Sequence, residues 1–184
     1  MKTIIVVILI SLVLYACSTN SQLKSNRTAE SYFSYLAATP ATTEHEVAAT
    51  FGKIFSNFKQ GAIEENIRSA YAEKLYFNDT FKIIEDIDEL VVHMSESADH
   101  VNSTTVDILD VMRSEHDYYI RWSMKMDLIV KGKDIFSHSI GMTQLRFNEA
   151  GKVVFHQDFW DSSEAFFEHL PFMGHFVKKV KSML

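Results

Sequence analysis

Apolar residues recur at helical intervals in the first half of the chain and at every second position in the second half, so the polarity pattern divides it into helices followed by strands. Val47, Phe51, Ile54, Phe55 and Phe58 predict a helix over about 44–59, with Thr43 and Glu46 at capping-box spacing before it. Gly61 ends that pattern. Ile63, Ile67, Ala70 and Tyr71 predict a shorter helix leading into the apolar run Leu75-Tyr76-Phe77, and Ile87, Leu90, Val91 and Met94 make one stripe of a third helix from Asp86. From Thr104 the period falls to two. Strands are expected at about 104–113, 117–130, 134–147 and 152–160, separated by turn sequences at hairpin spacing, which makes an antiparallel meander. Helices first and strands afterwards predict an α+β fold with the sheet curled over the helices. A helical tail follows Asp161, interrupted by Pro171 and Gly174.

The first 16 residues stand apart. Met1-Lys2-Thr3 is a short basic start, Ile4 to Leu14 is apolar apart from Ser11, and small Ala16 precedes Cys17. About 10 to 14 apolar residues are too few to span a bilayer comfortably but suffice for a signal peptide. Leu14-Tyr15-Ala16-Cys17 resembles a bacterial lipobox, which implies a lipid on the Cys17 thiol and cleavage just before it. Ser18 after the Cys resembles the sorting pattern of Gram-negative lipoproteins bound for the outer membrane, with the domain in the periplasm. The expected organisation is therefore a signal peptide at 1–16, a lipidated tether at 17–42 rich in Ser, Thr, Asn and Ala, and one domain at 43–184.

Composition fits one packed domain: 47% of the 184 residues are hydrophobic and 12% aromatic, with few Gly and Pro. Cys17 is the single cysteine, so the domain has no disulfide and depends on its core. The net charge of −6 becomes one unit more negative when Lys2 leaves with the signal peptide, which argues against a nucleic-acid partner.

Candidate chemistry lies in the last strand. Alternation puts His156, Asp158 and Trp160 on one face, a polar pair beside an aromatic wall. A carboxylate in such a hollow is a candidate general base or acid; the alternative is that His156 and Asp158 simply pair at a sheet edge. On the strand from Asp117, Tyr118, Ile120, Trp122, Met124, Met126 and Leu128 form an apolar face. Tyr119, Arg121, Ser123, Lys125 and Asp127 form a polar one, and the simplest reading sends that face, Arg121 included, to water. The eight His form no ligand set, so neither a metal nor a cofactor is expected.

The order of elements, with Gln144-Leu145, Gly151-Lys152-Val153, Gln157-Asp158-Phe159-Trp160-Asp161 and Leu170-Pro171, resembles the nuclear-transport-factor-2-like superfamily over about residues 43–172, and within it the SnoaL-like and limonene-epoxide-hydrolase-like branch. The resemblance implies a cone-shaped α+β fold with a deep apolar pocket between helices and sheet. It also implies a site: Asp158 as the base that deprotonates water, Tyr76 and Asn78 holding that water, and Arg121 facing the pocket beside Asp158. The branch keeps a second aspartate near position 123, where this chain has Ser123, which cannot serve as the matching proton donor. Asp127 shares the strand parity but lies roughly 13 Å further along at ~3.3 Å per residue.

Two functions remain. The loss at Ser123 favours a membrane-anchored module whose pocket binds a hydrophobic small molecule, a lipid-like ligand or an envelope partner without catalysis. The alternative is a cofactor-free hydrolase or isomerase with Asp158 as general base. A homodimer through the sheet is common in the resembling superfamily. The Cys17→Ala variant should remain unprocessed and incorporate no alkyne fatty acid in metabolic labelling; equal label in wild type and variant would remove the lipoprotein reading.

Overall fold

The computed structural model describes residues 47–130, 132–170 and 172–183. The signal segment, Cys17, the tether, the Thr43–Glu46 capping box, Pro171 and Leu184 lie outside the described residues.

The expected first helix is broken in two. Helix α1 (Val47–Phe55) buries Val47, Phe51 and Ile54 along one stripe. Asn57 then adopts φ −139° and ψ 90° and caps α2 (Phe58–Gly61), its side chain accepting a hydrogen bond from the Gln60 N–H. An Asn side chain satisfies the backbone donors at a new helix start better than it packs inside a continuing one, so the break falls there. Helix α3 (Glu64–Ala70) runs into strand β1 (Tyr71–Asn78), and a short β2 (Ile83–Asp86) follows. Asp86 caps α4 (Ile87–Asp99), which buries Ile87, Leu90, Met94 and Ala98.

The long strands β3 (Val101–Ser114), β4 (Asp117–Val130), β5 (Lys133–Phe147) and β6 (Val153–Trp160) form the antiparallel meander read from the sequence. The full sheet has six strands in the order β2-β1-β6-β5-β4-β3. It is mixed rather than wholly antiparallel, because β1 pairs parallel to β6. Helix α5 (Ser162–Ala165), a 3-10 turn at Phe167–His169 and helix α6 (Met173–Lys181) complete the chain.

The helices pack on the concave face of an open sheet, the α+β cone that the resemblance implied. Ile54, Ile67, Leu75, Ile84, Ile87, Leu90, Ile120 and Leu145 form the buried centre of that packing. Register makes the concave face specific. Trp122 on β4 lies opposite Gly141 on β5, and Gly141 lies opposite Trp160 on β6. A Cβ on Gly141 would overlap the Trp122 ring, so the indole lies flat across a position that must stay bare. Gly141→Ala should destabilise the domain by about 1–3 kcal/mol through this overpacking, read from the urea midpoint; an unchanged midpoint would mean that the indole moves aside at no cost.

Candidate functional site

A cavity of about 600 Å³ opens between the concave face and helices α1, α2 and α4. Phe51, Phe55, Phe58, Phe77, Phe81 and Phe166 share its wall with Trp122, Trp160, Met124 and Met126. Two carboxylates, Asp79 and Asp158, interrupt the apolar lining, and among the described residues neither Lys nor Arg contributes to it.

Asp158 is held by a chain of side chains that alternation places on one face. Thr143, directly opposite it on β5, donates its hydroxyl hydrogen to Asp158 Oδ1, and the Trp122 Nε1–H donates to Thr143 Oγ1 at 2.9 Å. His156 Nε2 lies 3.0 Å from the same Oδ1, and Tyr71 Oη lies 2.8 Å from His156 Nδ1. Burial, and then the Asp158 charge, push the Tyr71 phenol well above its ordinary value of 10.0. The phenol therefore keeps its hydrogen, and His156 Nδ1 is the acceptor positioned to take it. The other ring nitrogen, Nε2, is the one that faces Asp158. Asp158 Oδ2 accepts no hydrogen bond from the described residues. The pair is not a sheet-edge contact, because β6 lies between β1 and β5.

The second carboxylate sits at the end of β1. Asp79 Oδ1 accepts the backbone N–H groups of Phe81 and Lys82, and Oδ2 lies 2.7 Å from His93 Nε2 on α4. Burial alone would raise the Asp79 carboxyl, but the His93 and backbone hydrogen bonds outweigh it and hold the group below its ordinary 3.8. Thr80 beside it has φ 76°, a left-handed backbone for a β-branched residue, held by its N–H to Asn78 Oδ1 at 2.9 Å. The ring of Phe77 stands between the two pairs, with centroids 4.6 Å from His156 and 6.1 Å from His93.

Of the residues implied by the resemblance, only Asp158 lines this cavity; the other three lie on the opposite, convex face. Tyr76 and Asn78 pair in register with Phe155 and Gln157, whose side chains point away from His156 and Asp158. There Tyr76 Oη donates to Gln157 Oε1 at 3.2 Å, and Asn78 Nδ2 donates to the same oxygen at 3.1 Å. Arg121 is 52% exposed, 3.9 Å from Asp110. Ser123 is bonded to His138 on that outer face at 2.8 Å. On β4 the cavity is served by Trp122, Met124, Met126 and Leu128, as the simple alternation reading had it.

The sequence reading missed Thr143 and His93. Thr143 could have been found by pairing the last two strands across their turn. Asp79 holds the turn with one oxygen and meets His93 with the other. His93 carried no signal, since only the packing of α4 against β1 brings it near.

The class that this geometry defines is the α+β cone of nuclear-transport-factor-2-like proteins. A SnoaL-like protein from Shewanella denitrificans is 14% identical and superposes with a TM-score of 0.57 over 66% of this chain and 92% of its own. A protein from Catenulispora acidiphila with a ketosteroid-isomerase-like fold, solved in complex with trimethylamine, gives 13% identity, a TM-score of 0.56 and coverage of 67% and 91%. An LEH-like epoxide hydrolase from Mycobacterium tuberculosis gives 12%, 0.51, and coverage of 65% and 83%. No protein-family model matches the sequence, and neither does any curated protein. The likeness is therefore one of fold.

Because the Asp79 carboxyl is lower in the folded than in the unfolded chain, its stabilisation is present above the unfolded value of 3.8 and is lost as the pH falls through the lower folded value. Asp79→Asn should remove that part of the acid dependence, so the urea midpoints of variant and wild type should converge as the pH drops below 3.8. A constant gap between them across that range would show that the ionised form is not favoured by folding.

Proposed function

We propose that the mature protein is a lipid-anchored module of the cell envelope whose cone binds a hydrophobic small molecule without turning it over. The observation that carries this reading is the aromatic cavity of about 600 Å³ with Asp158 braced at its wall and Arg121 directed away from it. A cavity of that size, mostly apolar with a few placed polar groups, fits a small organic ligand. The Catenulispora acidiphila neighbour, which holds trimethylamine, supports a small-molecule role for such a pocket. The lipobox-like Leu14 to Cys17 supports the anchor, and Ser18 an outer-membrane address with the domain in the periplasm.

One observation favours a second reading, a hydrolase or isomerase with Asp158 as general base. The Tyr71–His156–Asp158 chain is the kind of support that keeps a base oriented. Such chemistry also needs a proton donor across the substrate. Ser123 and Arg121 are on the other face, and Asp79 is held below the usual carboxylate range, so it carries no proton at neutral pH. Binding without turnover is the better match.

Native mass spectrometry of the mature protein purified from its envelope should show a co-purifying small molecule. Asp158→Asn should reduce its retention and change stability by less than about 1.5 kcal/mol, because the amide oxygen still accepts from Thr143 and His156. A variant that keeps all of its ligand would take Asp158 out of the site. Steady release of a chemically altered ligand would replace the binding reading with the catalytic one.

A further inference from the structure

Resting on the pocket reading above, we propose that the ligand is a lipophilic amine bound as its cation, with the ammonium group at Asp158 and the carbon skeleton against the aromatic wall.

The first support is the sign of the charge. Among the described residues, Asp79 and Asp158 are the only acids in the lining, and neither Lys nor Arg lines the cavity with them. The remaining ionisable groups there are His93 and His100, and His93 is engaged with Asp79. At Asp158 the balance is firmer. His156 and Thr143 meet the same oxygen, Oδ1, and among the described residues no Lys or Arg lines the cavity beside the carboxylate. A carboxylate without a lysine or arginine partner, in a hollow of low polarity, attracts a cation strongly and repels an anion.

The second support is the shape of the wall. Trp122 and Trp160 face the cavity on either side of the bare Gly141 row, beside Thr143 and Asp158. Aromatic faces carry negative potential, so indole and phenyl rings around a carboxylate suit an alkylammonium group better than a neutral head of the same size.

Titrations of the mature protein at neutral pH with phenylbutylamine, phenylbutanol and phenylbutyrate separate charge from shape, read by calorimetry and by Trp122 and Trp160 fluorescence. The amine should bind at least about tenfold more tightly than the alcohol, and the carboxylate most weakly. Asp158→Asn should bring the amine down to the level of the alcohol. His156→Gln, which keeps a donor at that place, should retain most of the preference and guards against a fold effect at Asp158. Equal binding of amine and alcohol, or a preference for the carboxylate, would overturn this inference and leave the pocket reading standing. Binding of none of the three would overturn both.

Discussion

A carboxylate held in a hollow of Phe and Trp side chains is the constraint around which this domain is arranged. Withdrawing the Asp158 charge from water is costly unless donors meet it, and it needs those donors on one face of three neighbouring strands. Thr143 lies opposite it on β5, His156 lies two residues earlier on β6, and Trp122 on β4 fixes the Thr143 hydroxyl. Tyr71 closes the chain from the start of β1. A slip of one residue between any two of these strands would turn every member to the wrong side. The polar chain and the alternating apolar pattern therefore select the same register, and Gly141 permits it by leaving room for the indole.

Periodicity reveals what is local. The four long strands and their turns follow from alternation, and α4 from its stripe, because each such element buries one face of its own. Strand β1 is different: its second half, Leu75 to Asn78, is buried on both faces and reads as an apolar run without a period. Its parallel pairing with β6 is a tertiary fact with no sequence signature, since strands β2 to β5 lie between the two. Asn57 broke a helix whose apolar spacing continued past it. Asp79 and His93 meet only because β2 and α4 fold back beside β1.

The resemblance predicted the fold, yet only Asp158 of the residues carried across it lines the cavity. The reason is one of parity. A cone is specified by the polarity of many positions together, so it tolerates wide divergence. The place of a single side chain depends on the register of one strand, and Arg121 lies on the odd-numbered, outer face of β4. The convex face has its own polar clusters, with Asp117 holding Arg146 and Gln144 and Gln157 holding Tyr76 and Asn78. Tyr76 and Asn78 thus have a structural use that needs no water and no substrate.

The contrast between the two faces carries one step more. On the convex face, Tyr76, Asn78, Gln144, Arg146 and Gln157 are buried and joined to one another or to Asp117. Among the described residues, the buried side-chain atoms without a partner are the hydroxyls of Thr104, Ser137 and Ser139. All three lie on the concave face: Thr104 and Ser137 pair with Met126 from either side, and Ser139 pairs with Met124. An unmet buried hydroxyl costs about 1–3 kcal/mol, and valine or alanine would avoid the penalty at each position. The chain around Asp158 is satisfied on that same face while these three hydroxyls are not, so the unmet buried side-chain groups of the described residues are confined to the face that carries the cavity.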